Sequence, residues 1–161
     1  MKNILDKQKI KLFKKNDAVR VFNKILIDGF ILSDNCIYIK YFFGVNAKKT
    51  IKFVYDDTDR ECWVNSVHIE DWYHGNLISA ACSLSFYVLN NLKLKYENNL
   101  FSCVISIESR KRVTWKLYTV RKGVDWLSSN LEEYDQPVLQ IFSDDHFTWG
   151  ERKKLPALWH L

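Results

Sequence analysis

The sequence predicts a single α+β domain, in which a mostly antiparallel sheet of about six to eight strands carries one long and one short helix on a face. Short runs rich in β-branched and aromatic residues recur between turn-forming residues, as in a meander of antiparallel strands. Two longer segments, 70–91 and 125–134, instead place apolar residues at helical spacing. No linker or repeat divides the 161 residues, so we expect one domain.

The first half of this domain is predicted to consist of strands. Asp28-Gly29 separates two apolar runs, 19–25 and 27–32, and predicts a hairpin turn because glycine tolerates positive φ. Further strands are predicted at 35–43, 49–55 and 61–68. The acidic run from Asp56 to Asp59 predicts a turn, since aspartate side chains bond to nearby backbone amides.

The second half begins with the helix predicted at 70–91. A β-hairpin is then expected from strands at 100–107 and 113–120, with Val113, Trp115, Leu117 and Thr119 on its apolar face. The short helix at 125–134 ends before Pro137, and a last strand is predicted at 138–142.

The composition is that of a folded, globular chain. Hydrophobic residues make up 47% and charged residues 27%, and ten Phe, eight Tyr and six Trp offer ample surface to bury. Five Gly and two Pro exclude collagen-like and low-complexity chains. No run approaches the roughly 18 apolar residues of a membrane span, so no membrane partner is expected.

The net charge of +5 is concentrated at the N-terminus. Residues 1–24 carry +6, whereas residues 25–161 carry −1. We therefore predict that residues 1–17 form a basic arm or short helix and residues 18–161 the α+β domain. This basic start lacks the apolar core of a secretory signal, so the cytoplasm is the expected compartment.

The sequence contains no motif of a common catalytic or nucleotide-binding site, which favours a protein that is not an enzyme. The five glycines lie too far apart for a phosphate-binding loop. The four cysteines form no C-x-x-C motif and lie among apolar residues, so they are expected to be buried free thiols. They are Cys36, Cys62, Cys82 and Cys103.

Metal and acid–base chemistry find little support in the sequence. The densest set of potential ligands, His68, Glu70, Asp71 and His74, has no spacing that forces its members to converge. Asp144-Asp145-His146 forms a smaller set. We therefore predict no catalytic residue, metal site or cofactor, with a nuclease-like set around Lys52 (Asp56, Asp57, Glu61) as a minor alternative.

An acidic patch with a tryptophan is the first candidate surface for a macromolecular partner. Such a patch would fit the cationic cleft of a nuclease and accelerate its capture. The predicted partner-binding residues are Asp56, Asp57, Asp59, Glu61, Glu70, Asp71 and Trp72.

The basic hairpin is the second candidate surface, and it favours nucleic acid. Aromatic side chains between cations on a sheet can stack single-stranded bases. The predicted residues are Arg110, Lys111, Arg112, Lys116 and Tyr118. The competing interpretation places the neighbouring Trp115 in the core and leaves the cations as solvated flanks.

The same hairpin carries a resemblance to a known family. The strand at 102–107, a polar turn and the Thr-Trp-Lys-Leu-Tyr run at 114–118 resemble a strand–turn–strand of immunity proteins from bacterial contact-dependent growth inhibition systems. Trp72 lies where a tryptophan-bearing helix precedes that hairpin. The resemblance implies a cytoplasmic inhibitor that neutralises a cognate toxin domain, with a nuclease-type toxin expected. It implies no individual interface residues.

Overall fold

A computed structural model describes residues 15–46 and 54–145 of the chain. The helices are α1 (Lys15–Leu26), α2 (Lys40–Asn46), α3 (Asp57–Val64) and α4 (Leu77–Lys95). The strands are β1 (Phe30–Ser33), β2 (Cys36–Ile39), β3 (Val67–His68), β4 (Phe101–Ser109), β5 (Arg112–Thr119) and β6 (Val138–Phe142). Single 3₁₀ turns lie at Ile69–Asp71 and Leu131–Glu133.

The predicted α+β class and antiparallel pairing are confirmed. β1 and β2 form a two-stranded sheet, and the other strands form a four-stranded sheet in the order β3-β5-β4-β6. The larger sheet has fewer strands than the six to eight predicted, because several segments expected to be strands are helical.

The core lies between α4 and one face of the four-stranded sheet. The β4–β5 hairpin and strand 138–142 form as predicted, and Val113, Trp115 and Leu117 are fully buried on the face toward α4. The Trp115 indole donates to Ser85 Oγ of α4 at 2.8 Å, so its one polar atom is satisfied. Trp115 therefore belongs to the core.

α4 is the one helix among the described residues that is long and apolar enough to cross a membrane. Its 19 residues pass by length and composition, but 72% of the apolar window is buried inside the protein. This burial is compatible with the core helix of a soluble protein.

The hairpin predicted at Asp28-Gly29 is wrong. Residues 19–25 belong to α1, and Gly29, with φ of +70°, ends that helix by donating its N–H to Leu26 O at 2.9 Å. The hairpin turn lies instead at Asp34 and Asn35, whose φ values of 49° and 61° suit a two-residue turn between β1 and β2. The apolar run before Asp28-Gly29 is helical, so this dipeptide lies at the end of a helix and not in a β-hairpin.

Gly29→Ala is expected to lower the free energy of unfolding by about 1 kcal/mol, since an L-residue resists positive φ. Gly44→Ala in α2 is the matched control. Neither glycine has an atom within 4 Å of an added Cβ, and only Gly29 has positive φ. Urea unfolding should show Gly44→Ala as neutral or more stable. Equal effects of the two substitutions would contradict this assignment.

The strand predicted at 61–68 is also wrong, since α3 extends to Val64 and only Val67–His68 is β-structure. Asp56, expected in a turn, caps α3 by accepting the N–H of Asp59 at 2.8 Å. Similarly, only residues 36–39 of the predicted strand 35–43 are extended, and α2 follows directly.

Both predicted helices of the second half need correction. The long helix begins at Leu77 rather than residue 70, because Asn76 caps it by accepting the N–H of Ser79 at 3.0 Å. Residues 125–134 contain only a 3₁₀ turn. There, Ser128 Oγ accepts from the N–H of Asn130, a local bond that competes with a helix.

Two predictions lie outside the described residues. They are most of the basic arm or short helix predicted at 1–17, of which residues 15–17 alone are described, and most of the strand at 49–55. The predicted boundary between an arm and a domain at residue 17 stays a prediction.

Candidate functional site

α3 lies between the edges of the two sheets and joins them through side chains. Glu61 lies on α3, and Asn65 follows the last turn of this helix, four residues later. Side chains four residues apart share one helix face. Both side chains are fully buried and reach the outward backbone groups of β2 on one side and β5 on the other.

The Glu61 carboxylate accepts four hydrogen bonds. Oε1 accepts from Ile37 N at 2.6 Å and from Thr119 Oγ1 at 2.7 Å. Oε2 accepts from Thr119 N at 2.7 Å and from Arg121 Nη1 at 2.8 Å. One carboxylate therefore replaces the ladder bonds that β2 and β5 do not make with each other.

Asn65 makes the equivalent connection one step further along both strands. Its Oδ1 accepts from Ile39 N at 2.9 Å, and its Nδ2 donates to Ile37 O at 2.8 Å and to Leu117 O at 3.2 Å. Buried backbone groups that lack partners are costly, so Glu61 and Asn65 stabilise two strand edges together.

Arg121 balances the charge of Glu61 at the end of β5. Its guanidinium also donates to Thr58 Oγ1, Thr119 O and Asn35 O, each at 3.0 Å. Burial alone would lower the pKa of Arg121, but its hydrogen bond to Glu61 and the charge of that carboxylate raise it. Arg121 therefore stays charged, and its hydrogen bonds connect α3, β5 and the β1–β2 turn.

The remaining outer edge of β5 is occupied in the same way. β3 pairs with Thr114 and Trp115, and Glu70 Oε2 accepts from Val113 N at 3.1 Å. The outer edge of β5 is thus covered from Val113 to Thr119. The strand β3 pairs with part of it, and side chains of Glu61, Asn65 and Glu70 bond to the rest.

The outer face of α3 is polar and aromatic. Trp63 is 61% exposed and Tyr55, just before the helix, is 95% exposed. Helical spacing places Asp56, Asp59 and Arg60 on the same face as Trp63. We call these five residues the outer α3 face. Asp59 also accepts from the Trp126 indole at 2.9 Å, which ties the loop after β5 to this face.

The structure divides the predicted acidic patch into two groups. Glu61 is fully buried, so it cannot belong to a surface patch. Its bond to Thr119 and the bond of Glu70 to Val113 lie six residues apart on β5, about 20 Å at the usual strand rise. Asp56, Asp57 and Asp59 thus lie far from Glu70 and Asp71.

Trp72 is half-buried and packs against the Tyr41 ring, with centroids 6.1 Å apart. It therefore serves the fold beside α2 and lies in the same half of the site as Glu70 and Asp71. The assignment of these residues to a partner interface stays a prediction.

The predicted nucleic-acid face has exposed cations and buried rings. Arg110, Lys111 and Arg112 are exposed at the β4–β5 turn. Tyr118 is buried, and its hydroxyl accepts from Gln140 Nε2 at 2.7 Å. Lys116 lies over the Trp126 ring at 5.0 Å. With Trp115 also buried, neither predicted ring is available for stacking on bases.

Nothing among the described residues forms a metal-binding group of three or more His, Cys, Asp or Glu side chains. Thr114 Oγ1 and Glu70 Oε1 lie 3.4 Å and 3.7 Å from the same nitrogen, Nδ1 of His68. A nucleophile–histidine–acid relay needs its two partners on different ring nitrogens, so this group does not form one.

All four cysteines are buried and free, as predicted. Burial raises the pKa of each thiol, to about 12 for Cys82. A raised pKa keeps the thiol protonated, and a protonated thiol is a poor nucleophile.

Stability is expected to fall as the pH rises from about 9 to about 12, because unfolded thiols ionise near 9.0 and the buried Cys82 thiol only near 12. The stability that comes from the raised pKa of Cys82 is fully present below pH 9. Urea midpoints at pH 8, 9.5 and 11 measure it, and Cys82→Ala should show a shallower fall than the wild type. Identical slopes in both proteins would contradict the assignment.

Sequence reasoning missed the residues that define this site. Asn65 and Trp63 were not singled out, because residues 61–68 were assigned to a strand. Tyr55 was placed only in the strand predicted at 49–55, and Arg121 only among the cations close to the basic hairpin. The available signal was Asp56 followed by Thr58, Glu61, Cys62 and Asn65 at helical spacing, which places these four on one buried face.

Comparisons with known proteins identify a family without assigning an activity. No curated protein and no solved structure matches the chain significantly. One family model matches residues 1–153, nearly the whole chain. The chain therefore belongs to the family described as the uncharacterized protein PM0498 family.

Proposed function

We propose that this protein is a non-enzymatic inhibitor of the immunity type, which acts in the cytoplasm and neutralises a cognate toxin domain by protein–protein contact. The outer α3 face is its contact surface. The observation that carries the proposal is the exposure of Trp63 on α3 and of Tyr55 just before it, beside the carboxylates of Asp56 and Asp59.

Exposed aromatic residues of this kind are typical of binding hot spots. Tryptophan and tyrosine dominate interface energetics, and they act best when surrounded by polar residues that exclude water. Trp63 has this setting, since Asp59 and Arg60 lie on the same helix face. The carboxylates of Asp56, Asp57 and Asp59 favour a partner with a basic surface, such as a nuclease cleft.

Side-chain hydrogen bonds also fix the inner face of α3 to the rest of the protein. Glu61 and Asn65 fix its inner face to β2 and β5, and Trp126 bonds to Asp59 at its N-terminal end. A surface that is already ordered loses little conformational entropy on binding, which supports tight association.

Co-expression with the product of the adjacent open reading frame tests the proposal. We expect a 1:1 complex that buries roughly 1,200–2,000 Å² and has nanomolar or tighter affinity. Trp63→Ala should weaken binding about 30-fold or more, as expected for a hot spot worth at least about 2 kcal/mol. Asp57→Asn should slow association at low salt.

Leu94→Ala is the control for Trp63→Ala. Leu94 is an exposed apolar residue on α4, outside the outer α3 face, and its loss should leave binding unchanged. Failure to recover any complex, or equal effects of the two variants, would reject the proposal.

Nucleic-acid binding is the second candidate, favoured by the exposed cations of Arg110, Lys111 and Arg112. It would act on phosphates without the stacking first expected of Tyr118. Affinity for single-stranded and duplex oligonucleotides should then fall steeply as salt rises. Absent binding at about 50 mM salt would reject this candidate.

A further inference from the structure

β1 is an edge strand whose outward backbone groups have no partner within the described part of the chain. Lys40 N donates to Gly29 O at 3.0 Å, which sets the register of the β1–β2 ladder. In an antiparallel ladder the bonded residues alternate, so Ile31 and Ser33 face β2. Phe30 and Leu32 therefore direct their N–H and C=O groups away from the sheet.

Three other strand edges, those of β2, β5 and β6, carry protective features. The outward groups of β2 and β5 bond to Glu61, Asn65 and Glu70. β6 starts directly after Pro137, and its last N–H donates to Asp145 at 2.8 Å. Proteins usually blunt open edges with charges, prolines or covering groups, because open edges pair with other chains.

Among residues 15–46 and 54–145, nothing gives β1 any of these features. Its sequence, Phe-Ile-Leu-Ser, contains no charge and no proline, and Leu32 is 57% exposed. Ile27, just before the strand, is exposed as well. We propose that β1 is a strand-addition site, which binds an extended peptide segment of another protein in antiparallel orientation.

Charge identifies the kind of segment. The ionisable side chains on β1 and the turn residues beside it are Asp28 and Asp34, both exposed acids at opposite ends of the strand. An extended segment with lysine or arginine at both ends and small apolar or hydroxyl residues between them complements this edge.

A second copy of the chain fits less well in the register centred on Ile31. Antiparallel pairing of β1 with itself around Ile31 would match Phe30 with Leu32, and the same register would bring Asp28 of one copy opposite Asp34 of the other. Two like-charge pairs directly across a strand pair are destabilising. Other registers do not bring these acids together, so self-association is kept as an outcome of the test. The two exposed acids favour a basic segment of a different protein. This site lies on the far side of β2 from α3, so it does not depend on the proposed function.

Nuclear magnetic resonance with the full chain tests the site. The probes are two synthetic hexapeptides, Lys-Val-Thr-Val-Thr-Lys and Asp-Val-Thr-Val-Thr-Asp. The lysine peptide should shift the amide signals of Phe30 and Leu32 and slow their hydrogen exchange, by about tenfold when its concentration is ten times its Kd. The aspartate peptide should bind much more weakly.

Leu32→Pro separates strand addition from side-chain contact. The substitution removes an outward N–H that the ladder does not use, so the protein should keep its fold and lose the response to the peptide. Leu32→Thr keeps that N–H and should keep the response. Ile31→Pro removes an N–H that faces β2 and should disrupt the hairpin.

Four results would overturn the proposal. They are no change at Phe30 and Leu32 at millimolar peptide, an equal response to both peptides, a response that survives Leu32→Pro, and self-association of the protein that Leu32→Pro abolishes. The last result would assign the edge to a second copy.

Discussion

Glu61→Ala is expected to lower the free energy of unfolding by about 3–5 kcal/mol, the usual effect of breaking a buried ion pair from one side. The substitution leaves the Arg121 guanidinium without its carboxylate and the amides of Ile37 and Thr119 without acceptors. Urea or thermal unfolding followed by circular dichroism measures the change.

Asp57→Ala is the control for this prediction. Asp57 belongs to the same helix, but its ion pair with Arg60 spans 3.6 Å with both side chains more than 40% exposed. Such pairs contribute about 0–1 kcal/mol. If Glu61→Ala does not fold, Glu61→Gln keeps the shape and should still be clearly less stable than Asp57→Ala. A loss below about 1 kcal/mol for both Glu61 variants would contradict the role of Glu61.

Trp115→Ala is expected to lower stability by about 3–5 kcal/mol, since it removes a fully buried indole between β5 and α4 and leaves a cavity. It also leaves the Ser85 hydroxyl without its donor. Chemical denaturation measures the loss.

Trp63→Ala makes the same chemical change at an exposed position of α3 and should alter stability by no more than about 0.5 kcal/mol. The comparison separates a core tryptophan from a surface tryptophan within one protein. Similar losses for the two variants would contradict the assignment of Trp63 to a surface available for binding.

The sequence predicted the parts of the fold in which local pattern and tertiary packing agree. The β4–β5 hairpin alternates apolar and polar residues, and Trp115 and Leu117 follow that alternation into the core. α4 is apolar over most of its length, so its helical nature was recognisable although its start was not.

The sequence-based predictions failed where tertiary side-chain contacts, rather than the local residue pattern, decide the secondary structure. Residues 61–64 look β-rich, but Asp56 caps a helix whose buried face carries Glu61. A buried glutamate cannot be distinguished from a surface glutamate by sequence alone. Its partners, Ile37 and Thr119, lie 24 and 58 residues away, so no local signal connects them.

The same long-range contacts explain why the acidic residues predicted as one patch lie in two groups. Acidic residues at 56–61 and 70–71 are close in sequence, and proximity in sequence suggested one surface. In the folded chain, Glu61 and Glu70 bond to opposite ends of β5, and each satisfies a backbone amide there. The surface that we propose for a partner is the outer α3 face, which carries the exposed Trp63.

Native-state hydrogen exchange at the amides of Ile37 and Thr119 tests most directly whether the Glu61 side chain joins the two sheets. Both amides bond to this carboxylate rather than to a neighbouring strand. If the account is right, they exchange only through unfolding of the whole domain, as slowly as the amides of the β4–β5 ladder. Exchange as fast as that of the outward Leu32 amide would contradict it.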